Sequence, residues 1–201
     1  MAILNQQVKD KVQKSNLPTQ KPGPVLGKVT PQAVSFHHPD ASEGAGMWEL
    51  VKETGVLDLN SAYLYLMMGR YYGQTCLVAK QNGKVRGFAM GFIPPGRDDT
   101  YFLWQVGVST AARGQGLATR MIQHLLKQPA CKNVRYLETT ITPSNEASRK
   151  LFKGLARRWD AELKIQTGFD ASLFPGHAAH ESEDLFYIGP FDLHAEKGVK
   201  A

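Results

Sequence analysis

The 201-residue chain is poor in cysteine, holding only Cys76 and Cys131. They lie far apart and outside any CxxC spacing, which argues against a disulfide framework and fits a reducing compartment. A run of about 18 apolar residues is also missing, so no membrane-spanning helix is expected. The first thirty residues mix Lys, Gln, Asn and Pro without an apolar stretch, so no secretory signal is expected either. Together these absences predict a cytoplasmic protein with no membrane partner. Charge of one sign is scarce where a fold would carry it. The formal net charge is +6, yet Lys9, Lys11, Lys14, Lys21 and Lys28 face Asp10 alone near the start. The remainder is close to neutral, so no nucleic-acid partner is expected.

What is present reads as one domain, because a chain of this length supports one proper core. Residues 1–29 read as a flexible basic leader around NLPTQKPGPVLGK, residues 30–192 as the domain, and residues 193–201 as a C-terminal tail. Asp40 and Glu43 have capping-box spacing before a helix through Trp48 and Val51. Asn60 is placed to cap the aromatic helix SAYLYLMMGRYY, whose Tyr71 and Tyr72 read as core. Gln81-Asn82-Gly83 between TCLVAK and KVRGFAMGFI is a hairpin signal. YFLWQVGV and RYLETTIT read as strands. Gly114 to Lys127 reads as a helix with Leu117, Met121 and Leu125 on one face, and a second helix follows Asn145 through Leu151, Phe152, Leu155 and Trp159. AELKI and LFYI supply further strands. The predicted order, β-α-α-β-β-β-α-β-α-β-β, gives an α/β domain with one mixed sheet flanked by helices.

The segment VGVSTAARGQGLATRM carries the chemistry. A strand runs into Arg113-Gly114-Gln115-Gly116-Leu117-Ala118, and a helix follows. Successive N–H groups at such a helix start meet the positive end of the helix dipole, and glycines let an anion approach the backbone closely. Gly-Lys-Ser/Thr is missing, so a triphosphate loop is not expected, and a third spaced glycine for a dinucleotide fingerprint is missing as well. An acyl-CoA pyrophosphate loop fits the turn, although the same turn could be only a tight strand-to-helix connection.

With LETTITPSNEASRKLF downstream, the turn R-x-x-G-x-A resembles the corresponding pair of motifs in the GNAT superfamily of N-acetyltransferases. The resemblance implies a mostly antiparallel mixed sheet with a central V-shaped splay, and acetyl-CoA as co-substrate. It also implies that the amides of Gly114, Gln115, Gly116, Leu117 and Ala118 hold the pyrophosphate beside Arg113, that Val106 and Val108 pair with the pantetheine arm, and that Asn145 touches the cofactor. Phe152 stands where many members place a tyrosine that protonates the leaving thiolate, and a phenyl ring cannot donate. DLNSAYLYL, GFIPPGRDDTYFLWQV, ARGQGLATRM and RYLETTITPSNEASRKLFKGLARR are similar to one branch of the superfamily, the L-2,4-diaminobutyrate acetyltransferases of ectoine biosynthesis. The resemblance therefore implies a small-molecule diamine substrate acetylated at its γ-amine, and a homodimer.

A diamino acid asks for acids opposite its ammonium groups. Tyr136, Glu138 and Thr140 share one strand face by period two, and Trp104 is expected to share a face with Val106 and Val108. Asp58 and Tyr63 stand at the start of the second helix. The expected substrate contacts are therefore Asp58, Tyr63, Trp104, Glu138 and Thr140. An amine attacks a thioester only when neutral, so a carboxylate must take its proton, and Glu138 is the expected base. A backbone N–H near Val106 is expected to meet the tetrahedral oxyanion. Neither cysteine is needed.

His177, His180, Glu181, Glu183 and Asp184 lack a metal-binding register and read as a surface loop, so no metal is expected. Two other functions share the cofactor motifs: an acetyltransferase for another small amine or a protein amine, and a non-catalytic acyl-CoA-binding module.

Overall fold

A computed structural model of the chain describes residues 33–55, 57, 59–175 and 180–194. The described residues fall in one compact unit. Among the described residues, seven strands make one sheet: β1 (Ser35–His37), β2 (Cys76–Gln81), β3 (Lys84–Phe92), β4 (Thr100–Val108), β5 (Tyr136–Ile141), β6 (Leu163–Phe169) and β7 (Glu183–Ile188). Four α-helices accompany them: α1 (Gly44–Thr54), α2 (Ala62–Tyr72), α3 (Leu117–Leu126) and α4 (Glu146–Trp159). The spatial order is β1-β2-β3-β4-β5-β7-β6, and every neighbouring pair is antiparallel except β4 with β5. The chain order of elements agrees with the sequence expectation.

Local chemistry explains the elements. The hairpin between β2 and β3 turns on Asn82 and Gly83, both at positive φ (53° and 73°), the conformation that a two-residue turn of this hand demands. Helix α3 buries Leu117, Met121, Ile122, Leu125 and Leu126 on one side, and each such side chain contributes about 1.5–3 kcal/mol by leaving water. Helix α4 is capped by Asn145, whose side-chain oxygen accepts the Ser148 N–H at 3.1 Å.

The sheet has a packed core on each face. On one face Leu77, Tyr101, Leu103, Leu137, Phe186 and Ile188 meet the apolar sides of α3 and α4. On the other, Val78, Phe88 and Met90 meet Met47, Leu50, Val51, Tyr65 and Met68 from α1 and α2.

Three expectations about this layer are corrected. Asp40 caps a short 3₁₀ turn that precedes α1, accepting the Ser42 N–H at 2.7 Å, while the Glu43 carboxylate is drawn away by His37 (2.6 Å) and Lys80. Ser61, not Asn60, is the side-chain cap of α2, and the Asn60 carbonyl instead accepts the Trp48 indole N–H. Tyr71 and Tyr72 are not core: they are 71% and 43% exposed, because the buried stripe of α2 runs through Tyr65, Met68 and Gly69.

Candidate active site

The site is made by two strands parting. Strands β4 and β5 pair in parallel at Thr100–Tyr136, Tyr101–Leu137 and Phe102–Glu138, and then stop, although β4 continues to Val108 and β5 to Ile141. This is the V-shaped splay. Backbone N–H and C=O groups beyond the apex are released from the ladder and face the gap, as a strand-like ligand arm requires.

A β-bulge helps to open it. Met90 pairs with Gln105 and the next residue, Gly91, pairs with Leu103, so Trp104 is an extra residue on β4. The bulge resets the alternation and overturns the expectation that Trp104 shares a face with Val106 and Val108. Trp104 packs with Tyr65 (ring centroids 6.2 Å apart) in the α1/α2 core, whereas Val106 and Val108 pack against the α3/α4 core. Gln105, also past the reset, accepts a hydrogen bond from the Tyr65 hydroxyl at 3.0 Å.

Two cavities meet in the gap. The larger, about 780 Å³, runs along Val106, Gly107 and Val108, past Arg113, Gly114, Gly116, Leu117 and Ala118, to the first turns of α4. Gly114 and Gly116 both have positive φ (75° and 67°), and Gly116 is the residue from which α3 starts. A left-handed glycine there aims the first free N–H groups of the helix toward the cavity, the geometry that receives a pyrophosphate. These residues fit coenzyme A. Arg113 lines the same space, with its Nε 3.4 Å from the Val108 carbonyl. Gln115 does not line it; its amide donates to the Ala111 carbonyl on the opposite flank of the turn, beside Arg86 and Arg120.

The smaller cavity, about 320 Å³, lies deeper in the splay, between Leu103–Val106 and Thr139–Thr142. Leu57, Val106, Thr142, Asn145 and Ser148 line both cavities, so the two spaces adjoin along these residues. Phe152 is buried at its wall.

Of the expected substrate contacts, Trp104 and Thr140 line this acceptor cavity. Tyr63 is 71% exposed on the first turn of α2 and lines neither cavity, and Asp58 lies outside the described residues. Glu138 is buried but lines neither cavity. Its two oxygens each accept a guanidinium N–H from Arg97 at 2.7 Å, a bidentate pair at the closed end of the splay. That hydrogen-bonded pairing raises the Arg97 pKa further above its ordinary value.

Of the residues that read as a surface loop, His180, Glu181 and Glu183 line the wall of this cavity, while His177 lies outside the described residues. Strand β7 inserts between β5 and β6, which carries the residues before it over the open end of the splay. No spacing signal marks them, since their proximity comes from a long-range antiparallel pairing. Glu181 is occupied by Ser144, accepting from both its amide (3.1 Å) and its hydroxyl. Asp184 is occupied by Arg149 at 2.7 Å. Cys76 and Cys131 are buried, and burial pushes their thiols up to about 12 and about 11, far from any thiolate role.

The residues from 46 to 156 match the model of the Acetyltransferase (GNAT) family, and the chain belongs to that family. It is 51% identical over 159 residues to the L-2,4-diaminobutyric acid acetyltransferase of Marinococcus halophilus, covering 79% of this chain and 91% of that protein. The corresponding enzyme of Chromohalobacter salexigens is 46% identical over 169 residues, 84% of this chain and 86% of the relative. Among solved structures, the diaminobutyrate acetyltransferase of Paenibacillus lautus, in complex with its substrate L-2,4-diaminobutyric acid and coenzyme A, is similar with a TM-score of 0.76 and 42% identity. It covers 83% of this chain and 99% of that one.

Proposed function

We propose that the chain transfers the acetyl group of acetyl-CoA to the γ-amine of L-2,4-diaminobutyrate, the acetylation step of ectoine biosynthesis. The observation that carries this reading is the junction of the two cavities at the β4/β5 splay, in a chain whose relatives at 42–51% identity act on that diamine. The larger cavity takes the cofactor: amides of Gly114 to Ala118 receive the pyrophosphate, and the free edge of β4 at Val106 and Val108 pairs with the pantetheine arm. The smaller takes the diamino acid against Trp104 and Thr140, with Asp58 and Tyr63 proposed to hold its α-amino acid end. A released N–H near Val106 stabilises the tetrahedral oxyanion. The amine must lose its proton before it attacks, and two carboxylates compete to take it: Glu138, tied to Arg97, and Glu183.

The homodimer and the cytoplasmic location belong to the same proposal. Exposed Ile165 and Phe169 along the edge strand β6, with Leu173 beyond it, supply an apolar surface for a second copy. Among the described residues no helix is long and apolar enough to cross a membrane.

The test is release of free thiol from acetyl-CoA with a panel of amines. Turnover with L-2,4-diaminobutyrate well above that with lysine, putrescine or an N-terminal peptide supports the assignment. Preference for a peptide supports a protein amine instead, and thiol release with none of them supports a binding module.

A further inference from the structure

We propose that Arg86 and Arg120 form a second anion site, for a phosphate-class oxyanion, behind the turn that holds Gly114 and Gly116. It is separate from the acceptor cavity, and no step of acetyl transfer runs through it.

A third cavity, about 70 Å³, is lined by Arg86, Ala111, Ala112, Gln115, Leu117 and Arg120, which is more room than a single water needs. Arg86 comes from β3 and Arg120 from α3, so elements distant in sequence bring two guanidinium groups to one small space. Both stay charged, because arginine does not lose its proton in a protein. Among the described residues neither has a carboxylate partner. Arg120 lies over the Phe36 ring, 5.4 Å from its centroid, and the Arg86 Nε is buried without a hydrogen bond. A second orphan stands beside it. The pairing of Gly87 with Val108 brings Arg86 level with Ser109, whose N–H donates to the Arg86 carbonyl at 2.9 Å. Ser109 is 2% exposed, and its hydroxyl too is without a partner. Buried donors of this kind are costly to leave unmet, and two like charges at one cavity add repulsion that an anion between them relieves.

The donor set selects the ligand. A guanidinium fork matches the oxygens of a phosphate group, and a tetrahedral oxyanion has enough of them to accept from both arginines and from the Gln115 amide. The chain's own start is a poor substitute, since its first thirty residues set five lysines against Asp10. Ala112 and Leu117 line this cavity and the cofactor cavity alike, so a single turn separates the two spaces. Free phosphate is one source of the required chemistry, and the 3′-phosphomonoester of coenzyme A is the other.

The experiment titrates inorganic phosphate calorimetrically into the native protein, Arg86→Gln and Arg120→Gln, each saturated with dephospho-coenzyme A so that the front of the turn is filled. Ionic strength is held constant with chloride. Affinity for dephospho-coenzyme A is the check on folding, and Arg120 is exposed, so its variant keeps the test open if Arg86→Gln fails to fold. The native complex is expected to bind one phosphate per chain, about tenfold or more tighter than either variant. At phosphate tenfold above its Kd, the native Tm should rise by about 3–5 °C. Repeating the titration with coenzyme A separates the sources. Phosphate that still binds identifies the free anion; phosphate that is now blocked identifies the cofactor's 3′-phosphate, and both variants then lose affinity for coenzyme A but not for its dephospho form. Equal phosphate affinity in the native protein and both variants, or no phosphate binding to the native dephospho-coenzyme A complex, overturns the site. A native protein that binds neither cofactor form overturns the cofactor reading instead, and the same phosphate titrations of native and variant chains still decide this one.

Discussion

Phe102 and Glu138 are the last residues that β4 and β5 share as a pair, and the gap that holds the proposed acceptor cavity opens where that pairing ends. On one side of this point the backbone is satisfied by the ladder. On the other, the freed β4 edge is available to the pantetheine arm, and the gap between the strands forms the acceptor cavity. The bulge at Trp104 sits immediately past the apex and lets a bulky ring line the cavity while still packing on Tyr65.

The first prediction concerns the cradle. Gly116 has φ of +67° and open space where a Cβ would stand, beside the cofactor cavity. Gly116→Ala is expected to cost about 1–2 kcal/mol of stability from the left-handed backbone, and to weaken coenzyme A binding about tenfold or more by crowding the phosphate approach. Titration calorimetry beside thermal melts separates the two effects; unchanged affinity contradicts the cradle.

A second concerns the apex pair. The Glu138 side chain is 8% exposed and its Arg97 partner 47% exposed. Arg97→Ala leaves a buried carboxylate unpaired and is expected to cost about 1–3 kcal/mol, less than a fully buried pair because water reaches the guanidinium side. Adding Glu138→Gln should restore part of that loss. Urea unfolding of the two single variants and the double variant measures the coupling, and additive losses contradict it.

The third is a pH dependence. Burial raises the Cys76 thiol from its ordinary 9.0 to about 12 and the Cys131 thiol to about 11. Below about 9 both are protonated whether the chain is folded or not, and they add no slope. Above it the unfolded chain loses these protons while the folded one keeps them, so stability falls from about pH 9 toward 12. Urea midpoints across that range test the sign. Below it, thiol reagents should label neither cysteine without unfolding, and activity should survive their presence.

The sequence is most legible where one residue type dictates one backbone state. Asn82-Gly83 announces its hairpin, Gly114 and Gly116 announce the left-handed turn into α3, and Asn145 announces the start of α4, because each signal is local. Other features depend on tertiary context. Nothing around Trp104 marks a bulge, so strict alternation assigns it the wrong face. Glu138 sits on a strand in a plausible position, yet its partner Arg97 comes from a separate loop and occupies both oxygens. Glu183 looks like loop acid in LFYI's flank until β7 pairs with β5 and turns it into cavity wall.

The regiochemistry of transfer tests the central claim most directly. The native protein, acetyl-CoA and L-2,4-diaminobutyrate are incubated to completion, and the product is examined by proton and carbon NMR. Anchoring of the α-amino acid end leaves only the distal nitrogen in reach of the thioester delivered at Thr142 and Asn145, so the expected product carries acetyl on the γ-nitrogen alone. A substantial share of α-acetyl product, or no acetylated diamine at all, contradicts the account.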